Sequence, residues 1–347
     1  MDAFVDALCT EARLRKNEIA EPVHTIYFGG GTPSRLRKEH FDKIFETLLR
    51  HFPVEATAEI TIEANPDDLT DTYIAMLSGL PANRLSVGIQ SFNDEELKFL
   101  SRRHSAQQAV DAVKRCQQMG FENISIDLMY GLPNQTEKIW EHNLAQAIAL
   151  NVPHISSYHL IYEEKTRMYR LLQAGRIQPV GEEVSTAMFS LLIDRLTAQG
   201  FVHYEISAFA KEGYFSQHNS AYWKNRKYIG LGPAAHSFDG DDRSFNIPSL
   251  RRYIEGLKSG IMNRETEHLG IGEKYNEMVL TGLRTMWGLD LTELLASLGE
   301  EFYRYCLQNA AKHIQRGLLK TEEGKLKLTR EGLFISDGIM SDLMWIQ

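Results

Sequence analysis

Strand and helix patterns alternate five times in the first half of the chain. The apolar runs that predict strands are Val23–Phe28, Ala58–Ala64, Arg84–Gln90, Ile124–Tyr130 and His154–Leu160. Amphipathic stretches predict helices around them, at residues 2–19, 41–49, 69–80, 94–101, 106–119 and 136–150. Such a series requires a parallel sheet covered by helices, which is either an open doubly wound sheet or a barrel.

The predicted strands have two unlike faces, and this helps to choose between those folds. In the second strand Ile60 and Ile62 share one face, while Glu63 lies on the other. The third and fourth strands repeat the division, with Gln90 and Asp127 on the polar face. A strand of an open sheet that is buried on both faces should be apolar throughout. The pattern therefore favours a barrel with an aliphatic outer side and a polar lumen that holds a ligand.

Polar side chains stand at or near the carboxyl ends of three predicted strands. Any one of Glu63, Gln90 and Asp127 is equally well interpreted as a surface or capping residue. Together, however, they lie at the end of the strands where barrel enzymes place their chemistry. We therefore expect a polar site at this end of the barrel.

A run of three glycines, Gly29–Gly31, follows the first strand and precedes Thr32. No Lys-Ser/Thr follows at the spacing of a Walker loop, and Ser34 stands where the dinucleotide pattern has its third glycine. Glycine permits close approach of the backbone to another group. Contact with a ligand is the favoured interpretation, and a tight structural turn is the alternative.

Composition excludes several classes of protein. The net charge of −8 argues against general nucleic-acid binding, which needs a basic face. No apolar run approaches the ~20 residues that span a bilayer, and the first residues do not resemble a signal peptide. Cys9, Cys116 and Cys306 lie too far apart in sequence to suggest a disulfide framework or a local metal motif. We expect a cytoplasmic protein without a membrane span.

Aromatic residues are concentrated between residues 201 and 238, together with His203, His218 and His236. An imidazole between flat rings can ligate a heme iron and stack on its macrocycle. Composition alone favours an aromatic subcore with hydrogen-bonded histidines. The stretch from His218 to Trp223 is predicted to be a loop.

The last hundred residues are predicted to be mostly helical, with a hairpin near Gly324 and a final helix over residues 330–344. Helices followed by such a hairpin resemble a winged-helix domain. The predicted domains are a barrel core at 1–165, an aromatic-rich connecting region at 166–260 and a helical, winged-helix-like domain at 261–347.

Seven ordered segments resemble the oxygen-independent coproporphyrinogen III oxidase-like family of the radical SAM superfamily, and the similarity covers nearly the whole chain. The segments are Phe28–Ser34, Glu63–Pro66, Arg84–Phe92, Asp127–Pro133, His218–Trp223, Gly230–Ser237 and Leu328–Leu333. The resemblance implies a partial (β/α)6 barrel that holds a [4Fe-4S] cluster and S-adenosylmethionine (SAM), followed by a mostly helical domain.

The resemblance also implies which residues contact SAM. Glycines 30 and 31 with Thr32 correspond to the motif that meets the amino group of SAM. The residues implied for its other polar atoms are Glu63, Gln90 and Arg102, with Arg103 as the rival of Arg102, and Asp127 for the ribose hydroxyls. A carboxylate can accept hydrogen bonds from an ammonium or a diol, and an arginine fork fits a carboxylate.

Two functions occur within this family. Its oxidases decarboxylate two propionates of a porphyrin precursor by radical chemistry. Its heme chaperones bind heme and pass it to an acceptor protein, and they carry a His-Asn-x-x-Tyr motif. That motif is present here as His218, Asn219 and Tyr222, so a heme chaperone is favoured, with His218 as the iron contact. The alternatives are the oxidase and a non-catalytic binding scaffold.

One family motif is missing from this sequence. The resemblance implies Cys-x-x-x-Cys-x-x-Cys on a loop before the glycine motif, whose thiolates hold the cluster. Here Cys9 stands alone, and five barrel strands are predicted instead of six. We expect that this chain lacks the first strand and the cluster, either because translation or cloning began at an internal methionine or because a natural variant lost radical chemistry.

Overall fold

The structure is a computed structural model that describes residues 1–346. These residues divide into two compact units. One unit comprises Tyr27–Arg35 and Ile60–Phe215, and the other comprises Met1–Ile26, Leu36–Glu59 and the chain from Ser216 onward. The domain limits predicted at residues 165 and 260 stay a prediction.

A curled sheet forms the centre of the α/β fold. Its strands are β1 (Val23–Phe28), β2 (Val54–Ala64), β3 (Arg84–Gln90), β4 (Asn123–Tyr130), β5 (His154–His159), β6 (Val202–Glu205) and β7 (Ala208–Ala210). Within residues 1–346 their order is β1-β2-β3-β4-β5-β7-β6. From β2 to β5 the neighbours are parallel, whereas β7 is antiparallel to both β5 and β6. The predicted partial barrel is confirmed, and β6 and β7 are strands that the sequence patterns did not indicate.

Helices connect these strands as the β/α series predicts. They are α1 (Asp2–Leu14), α2 (Lys38–His51), α3 (Asp71–Ser78), α4 (Asp94–Phe99), α5 (Ala106–Gln118), α6 (Glu137–Ala149), α7 (Arg167–Gln173) and α8 (Glu182–Ala198). The predicted N-caps of α3 and α6 are confirmed, because Thr70 and Thr136 each accept a backbone N–H three residues ahead. The aliphatic face of the strands is fully buried at Ile62, Val87 and Ile126.

The remaining elements belong to the unit that includes the chain from Ser216 onward. They are α9 (Gln217–Trp223), β8 (His236–Phe238), β9 (Asp242–Asn246), α10 (Leu250–Lys258), β10 (Arg264–His268), α11 (Ile271–Leu283), β11 (Leu289–Asp290), α12 (Leu291–Leu298), α13 (Glu300–Gln315), β12 (Leu319–Glu322), β13 (Lys325–Leu328), α14 (Arg330–Leu333) and α15 (Ser336–Leu343). The predicted hairpin is β12–β13, and Glu323 and Gly324 make its turn with positive φ angles of 52° and 74°.

Three element predictions were wrong. Helix α1 ends at Leu14 instead of residue 19, because the backbone leaves helical geometry at Arg15 (φ −96°, ψ 6°), whose buried side chain donates to Gly230 and Ser237. The final helix is broken between α14 and α15, where Ile335 leaves helical geometry at φ −128° and ψ 29°, and Ile339 and Met340 of α15 are buried. The predicted loop from His218 to Trp223 is helix α9, because its first N–H groups find acceptors outside the segment.

A buried polar network attaches α1 to the part of its own unit that follows Ser216 in the chain. The Glu11 carboxylate accepts hydrogen bonds from the Gly232 N–H (2.9 Å), Asn246 Nδ2 (2.7 Å) and the Tyr253 hydroxyl (2.6 Å). Arg15, which is 1% exposed, pairs with Glu11 at 3.2 Å. Because every partner is buried or satisfied, this network fixes α1 in one position.

Among the described residues, none of the helices has both the length and the apolar character that crossing a bilayer demands.

Candidate functional site

The glycine loop after β1 presents its backbone to open space. Gly30 and Gly31 have φ angles of +70° and +76°, a region that side chains rarely allow. A Cβ placed on either would meet no atom within 4 Å. At Gly29 the constraint is crowding instead, since a Cβ there would lie 2.5 Å from the Tyr27 ring and 2.8 Å from Glu63 Oε1.

Glu63, at the carboxyl end of β2, is held against this loop. The Tyr27 hydroxyl donates to Glu63 Oε1 at 2.8 Å, and the Gly30 N–H donates to Oε2 at 3.2 Å. Burial, together with the negative charge of Glu63, raises the pKa of Tyr27 above its ordinary value. The phenol therefore remains a donor, and it fixes one oxygen of the carboxylate.

Asp127, on β4, is the second carboxylate of this site. Ser86 Oγ donates to its Oδ2 at 3.5 Å. Burial, and secondarily the charge of Glu63, raises the pKa of Asp127 to about 6. Neither carboxylate forms an ion pair with a basic side chain in the part of the chain that the structure describes. The positive charges of Arg84 and Arg102 act on Asp127 without an ion-pair contact. Two carboxylates without a directly paired cation suit a ligand that brings a positive charge and hydroxyl donors.

Gln90 and Arg102 lie together beside Gly88. A Cβ at Gly88 would be 3.1 Å from Gln90 Nε2 and 3.9 Å from both terminal nitrogens of Arg102. Gln90 itself has a φ of +73° at an irregularity in the β3–β4 pairing, a strained geometry typical of functional positions. Arg102 Nη1 donates to Asn65 Oδ1 at 3.0 Å.

Arg103, the rival of Arg102, has other partners. It forms ion pairs with Asp67 and, at 3.4 Å, with Asp68. Thr32 is exposed, and its carbonyl accepts the Arg35 N–H at 3.0 Å. The structure thus brings Glu63 to Gly30 and Gln90 to Arg102, and it places Thr32 in the turn that follows the glycines.

His218, in the other unit, is hydrogen-bonded through both ring nitrogens. Nδ1 lies 2.9 Å from Thr25 Oγ1, and Nε2 lies 3.1 Å from the Tyr222 hydroxyl. Burial lowers the pKa of His218 to about 4, so the imidazole is neutral near pH 7. The Tyr222 ring stands edge-on to the imidazole at 5.0 Å, and Tyr228 stands edge-on to Tyr222 at 4.6 Å.

Helix α9 begins where it does because two groups satisfy its first N–H donors. Ser216 Oγ accepts the Asn219 N–H at 3.2 Å. The buried Glu59 carboxylate accepts the N–H groups of Gln217 (3.1 Å) and His218 (3.0 Å). The helix places His218 and Tyr222 four residues apart on one face, within contact distance.

Sequence reasoning missed several residues that support the site. The position of Tyr27 in the first strand, two residues before the glycines, weakly indicates that it belongs to the site. Thr25 and Glu59 gave none, because their partner His218 is more than 150 residues away in sequence. Asn143 was also missed, and its Oδ1 fixes the backbone after Gln90 by accepting the Phe92 N–H at 2.8 Å.

The cysteines do not form a ligand set in this structure. Cys9 lies on α1, Cys116 on α5 and Cys306 on α13, and all are buried. Burial raises the pKa of Cys116 to about 12 and that of Cys306 to about 11, whereas metal ligation requires thiolates. Within residues 1–346 no group of His, Cys, Asp or Glu side chains is arranged to hold a metal ion. These residues do not fit a cluster that needs three thiolates.

Comparison with known proteins identifies the family. Residues 10–146 match the model of the Radical SAM superfamily, and residues 272–335 match that of the HemN C-terminal domain. Over 345 residues the chain is 34% identical to the heme chaperone HemW of Bacillus subtilis (strain 168), and the match covers 98% of this chain and 90% of that protein. The chain belongs to the heme chaperone branch of the HemN-like radical SAM family.

Other members of this radical SAM family are similar to the chain over nearly its whole length. The heme chaperone HemW of Lactococcus lactis subsp. lactis (strain IL1403) is 30% identical over 99% of this chain and 90% of its own length. The solved structure of the coproporphyrinogen III oxidase HemN of Escherichia coli has the same fold, with a TM-score of 0.83 over 99% of this chain and 83% of that chain. At 23% sequence identity, this similarity supports a shared fold and nothing more.

Proposed function

We propose that this protein binds heme through His218 and transfers it to an acceptor protein. The observation that carries the proposal is the geometry of His218, a neutral imidazole whose Nε2 is covered by the hydroxyl of half-exposed Tyr222. A neutral imidazole is the common iron ligand of heme proteins. Asn219 and Tyr222 complete the motif that the heme chaperone branch carries.

A hemin titration tests this proposal. Addition of hemin should give a Soret band that saturates near one heme per chain, and His218→Ala should remove most of the binding. His268→Ala is the matched control, because His268 is an exposed histidine of the same unit. Apomyoglobin, added as an artificial acceptor, should then draw the heme away. Unchanged binding in the His218 variant would contradict the proposal.

We propose in addition that SAM lies at the carboxyl ends of the barrel strands. The glycine loop with Thr32 would face its amino group, Gln90 and Arg102 its carboxylate and neighbouring polar atoms, and Asp127 its ribose. Glu63 would accept a hydrogen bond from the ammonium group of SAM, because its carboxylate lies beside the glycine loop, where Oε2 accepts the Gly30 N–H. Calorimetric titration with SAM should give binding that Glu63→Gln weakens. Glu95→Gln, which changes an exposed glutamate of α4, is the control.

We propose that this chain holds no [4Fe-4S] cluster, because its cysteines are buried and dispersed over three helices. In the superfamily this cluster supplies the electron that cleaves SAM. Anaerobic reconstitution with iron and sulfide should leave well under four irons per chain. A cluster absorbance band, or consumption of coproporphyrinogen, would overturn this view and favour the oxidase function.

A further inference from the structure

His218 is held from its two sides by groups of different character. On one side is Thr25, a half-buried residue of β1 whose Oγ1 lies 2.9 Å from Nδ1. On the other side is Tyr222, which is 37% exposed and whose hydroxyl lies 3.1 Å from Nε2. A bulky planar ligand that arrives from solvent can displace an exposed phenol more easily than a strand of the central sheet.

The backbone of His218 is held as firmly as its ring. Glu59, which is 4% exposed, accepts the N–H groups of Gln217 and His218 with both of its carboxylate oxygens. Charge-assisted hydrogen bonds of this kind are stronger than neutral ones. The imidazole is therefore held by buried or half-buried groups at its backbone and at Nδ1, whereas its Nε2 meets the hydroxyl of the exposed Tyr222 side chain.

We propose that Thr25 is a positioning residue for the heme-binding imidazole and that the Tyr222 hydroxyl is a displaceable occupant of the nitrogen that meets iron. The inference rests on the proposed heme-binding function. Thr25 accepts the Nδ1 proton, which leaves the Nε2 lone pair directed outward. In the heme-free protein Tyr222 donates to that lone pair, and on heme binding the iron takes its place.

Physical chemistry gives the two residues opposite effects on heme affinity. Histidine ligands almost always donate their second N–H to a fixed acceptor, and loss of that acceptor typically costs about 10- to 100-fold in metal affinity. A hydrogen bond that must be broken before binding lowers affinity, by about 2- to 10-fold for a typical neutral bond. Removal of the Thr25 hydroxyl should thus weaken heme binding, whereas removal of the Tyr222 hydroxyl should strengthen it.

The first experiment compares Thr25→Val with Thr25→Ser in the full chain. Valine preserves the shape of threonine without its hydroxyl, and serine preserves the hydroxyl. We expect Thr25→Val to weaken hemin binding about tenfold and to shift the Soret maximum and the reduction potential of the bound heme, while Thr25→Ser restores all three. Thr57→Val is the matched control, because Thr57 is an exposed threonine of the neighbouring strand β2.

The second experiment measures hemin binding to Tyr222→Phe, which keeps the aromatic ring. We expect an affinity about 2- to 10-fold higher than that of the unmodified protein and faster association. A lower affinity would mean that the hydroxyl contacts the bound heme, and it would overturn the role assigned to Tyr222.

The outcomes separate this inference from the function on which it rests. If His218→Ala binds heme normally, the proposed function is wrong. If His218→Ala loses heme while Thr25→Val keeps both the affinity and the spectrum of the unmodified protein, heme binding stands and the positioning role of Thr25 is wrong. Failure of Thr25→Ser to rescue would show that packing, instead of the hydroxyl, is what matters.

Discussion

At the scale of single residues, Glu63 and Asp127 are the two carboxylates of the barrel site, and the fold raises the pKa of Asp127 to about 6. Both carboxylates could be predicted from sequence, because the two-residue period of a strand and the β/α order place them at one edge of the sheet. The raised pKa of Asp127 could not be predicted from sequence, because it depends on the burial of this carboxyl group in the folded protein.

We expect SAM binding to weaken as the pH falls through about 6. The folded pKa of Asp127 is raised to about 6, so the carboxyl takes up a proton below that pH. A protonated Asp127 loses its charge and one acceptor for a ribose hydroxyl, and affinity should fall up to about tenfold per pH unit below 6. Charged groups that act on it include Glu63, Arg84 and Arg102.

Calorimetry with SAM between pH 5 and pH 8 measures this dependence. Asp127→Asn should bind weakly at every pH and show no step near 6. Asp71→Asn, which changes an exposed aspartate of α3, should keep the step. An affinity in the unmodified protein that is constant from pH 5 to pH 8 would exclude Asp127 from the binding site.

A second residue-scale prediction concerns Tyr27, whose hydroxyl fixes one oxygen of Glu63. Tyr27→Phe frees that oxygen to rotate and should weaken SAM binding by about 0.5–1.5 kcal/mol, or about 2- to 10-fold. The control is Tyr73→Phe in the same unit, since the Tyr73 hydroxyl is buried and has no hydrogen-bond partner among the described residues. Equal affinities for the two variants would contradict a positioning role for Tyr27.

At the scale of elements, the strands and most helices follow from local pattern, but α9 does not. Its six motif residues contain Asn, Ser and two bulky aromatics, which are weak helix formers. The helix forms because Glu59, which lies on β2 about 158 residues earlier in the chain, accepts hydrogen bonds from the first N–H groups of α9. Local sequence patterns cannot predict a helix cap that comes from a residue so far away in the chain.

The start of α9 can be tested through its N-cap. Ser216→Ala removes the acceptor of the Asn219 N–H and should cost about 1 kcal/mol of stability. Because His218 lies in the first turn, heme affinity should fall as well. Ser249→Ala removes the equivalent cap of α10 and should cost similar stability without a change in heme affinity. Melting curves and hemin titrations of both variants measure these effects, and a parallel loss of heme binding in the Ser249 variant would contradict the prediction.

At the scale of the whole molecule, the sequence predicts the class of fold and its parallel core but not how α1 is attached. Glu11 and Arg15 look like an ordinary exposed i,i+4 pair, yet both are 1% exposed. Their burial depends on Gly232, Asn246 and Tyr253, which follow more than 200 residues later. No periodicity within α1 could reveal those partners.

Glu11→Gln should therefore destabilise the protein strongly. The substitution leaves Arg15 with Glu18 as its remaining carboxylate partner and replaces an acceptor that serves several donors. Loss of one partner of a buried ion pair costs about 3 kcal/mol or more. Urea unfolding followed by circular dichroism measures the change, with Glu39→Gln on the exposed face of α2 as a control expected to change stability by less than about 0.5 kcal/mol. A shift no larger than that of the control would show that the network contributes little.

The burial of all three cysteines has a practical consequence for measuring motion in this protein. Cys9, Cys116 and Cys306 are each no more than 2% exposed, so thiol reagents should reach none of them while the fold is intact. A single cysteine introduced on the surface of α7 or α10 can then carry a spin label or a fluorophore without prior removal of the native thiols. Distances from such a probe to added hemin would test the proposed binding and release of heme directly.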